Sequence, residues 1–428
     1  MTSQLRHLTS AAWRLAVALV SLQACGGDVV ASTAALQMQV DTLGDTVRVT
    51  ILGGSVWGDT ATLIPEVTIG VADGPDEYLL GQVRGLAVAP GGEVYLIDAQ
   101  VPALRKYGVD GTHLVTLGRE GSGPGEYRRP DGGLAVLSDG RVVLRDPGNG
   151  RFAIYAPDGS SLGEWSGLAG SFNTSNPLVV GSDDAVYTFV LLATDLPPWQ
   201  WTYGMARYDA AGEAGDTVVA PSFDYEPPMI RAQRDGSSST DDVPFGAGRH
   251  WTMLPSRAMV GGIAKDYSFT VYEAGGERRI SRTASAPIPV HPEEAEEQER
   301  RATENMRSNY PGWTWNGPPI PATKPAYSDL IGAQDGRVWV RVPTLGVPFR
   351  TAAEAAAAEL ESKRPELRYR ETVAFDVFEA DGRYLGHVRA PDGFRTSPQP
   401  VFRGDQVWAV NEDPESGVPR VVRYRVVH

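Results

Sequence analysis

The chain has 428 residues, 42% of them apolar and 21% charged, and a net charge of −14 at pH 7. That much apolar material supports one large core or several ordinary ones and excludes a largely disordered chain. The excess of acid repels nucleic acid and anionic lipid, so phosphate-backbone binding is disfavoured as the main role.

The N-terminus comes first. Arg6, His7 and Arg14 make a basic start, and Leu15 to Leu22 is an apolar run too short to span a bilayer as a helix. This is the form of a secretory signal. The single cysteine, Cys25, excludes an intrachain disulfide and a cysteine-based metal cluster. Leu22-Gln23-Ala24-Cys25 resembles the bacterial lipoprotein box. That resemblance implies a thiol that is acylated and becomes the mature N-terminus, so that the membrane is met only through a lipid anchor. Gly26, rather than an aspartate, follows the cysteine, which by the same analogy points to the outer membrane of a diderm bacterium. The alternative is an ordinary signal peptide that contains a cysteine. The expected organisation is a signal over residues 1–25, a polar tether over 26–59 with one short strand at Val47–Leu52, and one domain over 60–428.

From residue 62 onward the pattern is strands. Thr62–Ile69 is a strand without an obvious local partner. Then Gly85-Leu86-Ala87-Val88 recurs as Gly133-Leu134-Ala135-Val136, each followed by a turn and a second strand. A third strand (Leu104–Tyr107, Phe152–Tyr155), an Asp-Gly turn and a fourth strand complete each copy. Apolar runs bounded by Asp-Gly are strong hairpin signals. Further copies are anchored at Leu178, Trp251, Leu330 and Val401. The first two steps between anchors match a bare propeller blade, and the later ones match a blade plus an insertion. The sixth copy stops after its third strand, Arg420–Val427. Pairing that strand with Thr62–Ile69 removes two exposed edges and closes a ring. The expected fold is therefore all-β: a six-bladed β-propeller of four-stranded antiparallel blades, the N-terminal strand closing the last blade. A β-sandwich with separate units explains neither the repeat nor the missing strand.

Asp146-x-x-Asn149-x-Arg151-Phe152 followed by Tyr155-x-x-Asp158-Gly159 resembles the NHL repeat. Gly118-Arg119-x-Gly121-x-Gly123-Pro124-Gly125-Glu126-Tyr127 resembles the interblade linker of that group, and the chain resembles the secreted six-bladed propeller proteins of environmental bacteria. The resemblance implies fold and export, and no reaction.

The 1–2 and 3–4 turns of a blade lie on one rim and the 2–3 and 4–1 loops on the other. Here the first kind are tight and the insertions fall in the second: 119–130, 167–176, 193–203, 221–249, 287–327 and 343–368. Long loops are rarely kept without use, so the elaborated rim is the expected binding face. Two short helices are expected there. One covers Pro292–Asn309, with Glu296 to Arg300 and Glu297 to Arg301 as i,i+4 pairs on a solvated face. The other opens at the capping box Thr351-x-x-Glu354 and ends before Pro365.

Candidate binding residues follow from the rim. Trp199 and Trp201, and Trp313, Trp315 and Asn316, sit in proline-stiffened loops. Trp-x-Trp presents rigid amphipathic faces suited to a sugar, a peptide or a partner protein, or else pins the loops to the blades. Arg128, Arg129 and His250, with Arg119, Arg231, Arg234 and Arg249, offer forks for an anion, or ion pairs to nearby acids such as Glu126 and Asp235. Asp224, Glu226, Asp241 and Asp242 offer calcium ligands without a ligand-loop spacing, so calcium is possible and no other cofactor is implied. Gly121-x-Gly123-x-Gly125 contains Pro124 and precedes no helix, which marks a linker rather than a phosphate loop. No His-Glu-x-x-His motif is present, and Gly159-Ser160-Ser161-Leu162-Gly163 matches Gly-x-Ser-x-Gly only in letters, since it runs from an Asp-Gly hairpin turn into a strand and forms no strand-to-helix elbow.

Two functions remain. One is a monomeric, envelope-anchored binding or scaffold protein for a protein, peptide or glycan, without catalytic residues. The other is a calcium-assisted lactone hydrolase or lyase working at the channel mouth, for which Asp131, Asn173, Asn176, His250 and Asp329 are the loose candidates. An exported redox propeller lacks cofactor ligands.

Overall fold

The computed structural model describes residues 35–167, 176–193, 196, 200–283, 285–413 and 416–428. They are nearly all β, with two α-helices among them. Cys25, Asn173 and Trp199 lie outside the described residues. No helix among those described is long and apolar enough to cross a membrane.

Most of the described strands form antiparallel meanders in chain order, three of them separate four-stranded sheets and the others runs within a six-stranded and an eight-stranded sheet. The first runs Val83–Val88, Val94–Asp98, Ala103–Tyr107, His113–Leu117. The second runs Leu134–Val136, Val142–Asp146, Arg151–Tyr155, Ser161–Ser166. The third begins at Val179–Val180, the fourth at Arg249–Met253, the fifth at Asp329–Gly332 and the sixth at Val401–Arg403. Each meander follows from its turns. Gly111 (φ 85°) and Gly159 (φ 90°) sit after aspartates in the left-handed region that a tight hairpin needs and that a Cβ would strain.

Alternation along a strand assigns successive side chains to opposite neighbours. Leu86 and Val88 pack with Trp408, Val410 and Val421 of the sixth sheet, whereas Ala87 and Ala89 pack with Leu134 and Val136 of the second. The same division continues round the molecule. Further clusters join the second sheet to the third, the third to the fourth, the fourth to the fifth and the fifth to the sixth. Trp339 and Trp408, on second strands, are both buried in these interfaces.

The sixth sheet takes its outer strand from the other end of the chain. Ala61–Ile69 pairs antiparallel with Pro419–Val427, from Thr62 opposite Val427 to Ile69 opposite Val421. Ala61, Leu63 and Ile69 are buried while Ile64 faces solvent.

Two expectations need correcting. The segment read as a tether with one short strand contains a hairpin, Gln37–Leu43 with Thr46–Gly53. Its second strand lies parallel to Gly276–Arg282 at the edge of the fourth sheet and buries Val49 and Ile51 beside Phe269 and Ile280. The apolar alternation Val47-Val49-Ile51 is short, and only the distant edge strand explains it. The second correction concerns helix α1, Pro292–Asn309, whose charges were read as i,i+4 pairs on a solvated face. Instead Arg300 pairs with Glu359 on helix α2, Ala352–Ser362, and Glu293 and Glu297 both hold Arg368. Glu294 and Glu297 are buried. The two insertions pack against each other, so the charges find closer partners across the gap than along the helix. Both helices open with capping boxes, His291 with Glu294 and Thr351 with Glu354.

Candidate functional site

Residues at or just before the first strands of four successive meanders come together. There they line a cavity of about 260 Å³. Asn176 precedes the first strand of the third sheet, Arg249 and His250 open that of the fourth, Asp329 opens that of the fifth, and Gln399 precedes that of the sixth. Phe189 and Trp251 form part of the wall, their rings stacked with centroids 5.9 Å apart and planes at 16°.

Neighbouring groups hold these side chains in place. The buried Arg145 donates to the carbonyl of Asn176 at 3.0 Å and to Thr188 Oγ1 at 2.8 Å, and it pairs with the buried Asp131 at 2.8 Å. Asp131, a loose catalytic candidate in the sequence, is thereby occupied as Arg145's counter-ion, since a buried guanidinium demands one. The carboxylate of Asp329 accepts the Leu330 N–H at 2.8 Å, and the Gly332 N–H donates to Thr252 Oγ1 at 3.2 Å, tying the fourth and fifth sheets together. The ring of His250 meets Tyr327 edge-on at 5.6 Å.

Burial acts on the two titratable groups in opposite directions, because it disfavours the charged form of each. It lowers the His250 pKa to about 4, leaving a neutral imidazole at neutral pH. It raises the Asp329 carboxyl, against the Leu330 N–H and the charge of Arg341. The cavity thus combines a cation, an acid, a neutral imidazole, carboxamides and a hydroxyl beside stacked rings. That set suits a polar ligand that carries both donors and acceptors.

The tryptophans of the rim sit elsewhere. Trp313 and Trp315 meet at 6.4 Å and 67° and pack against Ile230, Val243, Ala302 and Met306. Trp313 Nε1 donates to the Arg231 carbonyl at 2.8 Å, Trp315 Nε1 to that of Gly317 at 3.0 Å, and Asn316 exchanges hydrogen bonds with the Arg231 backbone at 2.7 and 3.2 Å. They join a hairpin, Met229–Arg234 with Ser237–Asp242, to helix α1. Trp201 donates to the Leu196 carbonyl at 2.8 Å. Arg128 and Arg129 are exposed. Among the other arginines, Arg119 pairs with Glu126, Arg231 with Glu226 and Arg234 with Asp235. Of the residues put forward from sequence for binding, Arg249 and His250 line this cavity, and of those put forward for catalysis Asn176 and Asp329 join them. Gln399, Thr252 and Phe189 were missed. Position just before a first strand could have found Gln399, whereas Phe189 on a second strand and Thr252 near the end of a first strand carried no such signal.

The donor set fits calcium poorly. It supplies one carboxylate, Asp329, and among the described residues no group of three or more His, Cys, Asp or Glu could hold a metal ion.

No protein-family model matches the chain. No curated protein matches it either. Solved structures do. A member of the DUF4221 family from Bacteroides vulgatus is 11% identical, with TM-score 0.48, covering 86% of this chain and 98% of that one. A gluconolactonase of Xanthomonas campestris is 12% identical, with TM-score 0.38, covering 85% and 97%. A virginiamycin B lyase from Staphylococcus aureus is 10% identical, with TM-score 0.34, covering 92% and 100%. At these values the likeness says nothing about activity.

Proposed function

We propose that the chain is a six-bladed β-propeller binding protein, exported and anchored to the outer membrane through an acylated Cys25, that holds a peptide, protein segment or glycan at its elaborated rim. The observation that carries this reading is the convergence of Asn176, Arg249, His250, Asp329 and Gln399 from four sheets on one cavity with an aromatic wall. The closed succession of sheet-to-sheet cores and the strand shared between the two chain ends support six blades. Trp201, Trp315, Asn316, Arg128 and Arg129 are outer contacts on the same rim, and the protein acts as a monomer. A glycan and peptide array tests it, probed with wild type, Arg249→Ala and Trp315→Ala. A ligand whose binding falls at least about tenfold in Arg249→Ala, with an unchanged melting temperature, supports the reading. No ligand for the wild type, or loss only with loss of fold, refutes it. For the anchor, wild type partitions with membranes and Cys25→Ala does not. Recovery of unacylated wild type in the periplasmic fraction refutes that part.

The presence of His250, whose burial keeps the imidazole neutral, and of Asp329 in one cavity favours a second reading, a hydrolase or lyase in which these two groups move a proton. Turnover of a lactone panel by wild type and not by His250→Ala or Asp329→Asn supports it. Stoichiometric calcium in purified protein revives the metal-assisted form.

A further inference from the structure

On the other side of the same central space, the first strands of all the sheets line a second cavity of about 440 Å³. Leu86, Val88, Leu134, Val136, Val180 and Val401 make most of its wall apolar. Arg403 lies at its turn-side end, where its Nη1 donates to the carbonyls of Ala89 at 2.9 Å and Pro90 at 3.3 Å. The guanidinium also lies 5.1 Å from the Trp408 ring. None of these contacts neutralises the charge. Desolvation lowers its pKa, and among the described residues no carboxylate acts against that. Asp184, the acid that lines the cavity, is engaged instead by the Ser138 N–H at 2.8 Å and the Ser138 hydroxyl at 2.9 Å.

A half-buried cation without a counter-ion is costly, and an anion brought by a ligand relieves that cost. The cavity has the size of a small-molecule site, roughly 300–1,000 Å³. We infer that it binds an amphipathic carboxylate, a medium-chain fatty acid, with the carboxylate on Arg403 and the alkyl chain along the apolar strands. The inference does not rest on the mouth residues. The two cavities share Pro177, Val179, Met253, Gly332 and Gln399, so the chain runs toward the mouth without using its polar groups.

The test is calorimetric titration of the full chain, produced without export and purified without detergent, with hexanoate, octanoate, decanoate and decanol. Decanoate should bind one to one, with affinity rising roughly fourfold per added methylene. Decanol should bind at least about tenfold more weakly, because it offers no charge to the guanidinium. Arg403→Gln should lose the preference for carboxylate over alcohol, and Arg403→Lys should keep part of it. The chain-length and alcohol comparisons are made on wild type and stand even where Arg403→Gln folds poorly. No decanoate binding up to ~1 mM overturns the inference. Equal binding of decanoate and decanol, or a carboxylate preference that persists in Arg403→Gln, overturns it too.

Discussion

Closing the last sheet with a strand from the far end of the chain makes neighbouring residues of that strand unequal. Leu63 is 4% exposed and packs in the core shared by the fifth and sixth sheets, opposite Val426. Ile64, the next residue, is 44% exposed and lies opposite Arg425. Leu63→Ala removes buried methyls and leaves a cavity that a strand hydrogen-bonded on its Pro419–Val427 side cannot collapse to fill, so it should cost ~2–5 kcal/mol. Ile64→Ala removes a side chain that is half in water and should cost no more than about 0.5 kcal/mol. Against a total of roughly 5–15 kcal/mol for a domain, the first is a large fraction and the second is hardly visible. Equilibrium denaturation in guanidinium reads the difference as a shift in midpoint at unchanged slope. Equal shifts for the two variants, or a larger one for Ile64→Ala, would refute the closure register, because a strand slipped by one residue exchanges its faces.

Three further predictions concern charge. Asp131→Ala removes the carboxylate paired with the buried Arg145 and should cost ~3–5 kcal/mol by denaturation, whereas Asp131→Leu with Arg145→Met should cost much less. His250 titrates near 6.5 when unfolded and near 4 when folded, so between these values the unfolded chain binds more protons. Stability should therefore be full above pH 6.5 and fall as pH drops toward 4, by at most about 3 kcal/mol, and His250→Gln should flatten that part of the pH–stability curve. Lys324, fully buried between Glu294 of its own insertion at 2.7 Å and Glu371 just past the other insertion at 2.8 Å, ties the two insertions together. Lys324→Met leaves two carboxylates facing an apolar group, and limited proteolysis should cut residues 287–327 faster while sparing the sheets; an unchanged digestion pattern counts against that role.

What could be read from the amino acids alone was local. Period-two alternation and Asp-Gly turns act within a dozen residues, so the strands, both helices and the repeat were visible before any contact was known. The surplus strand at Ala61–Ile69 and the missing one after Pro419–Val427 were also legible, because an unpaired edge at each end demands a partner. The hairpin at Gln37–Gly53 was not, since its docking partner, Gly276–Arg282, lies more than two hundred residues away. The pairing of Arg300 with Glu359 and of Arg145 with Asp131 was likewise decided by tertiary packing, as any of several nearby acids would have served by charge alone. The same holds for the two cavities. Nothing in the neighbourhood of Asn176, Asp329 or Arg403 along the chain distinguishes them. They become two cavities only when the first strands of successive meanders, far apart in sequence, come together.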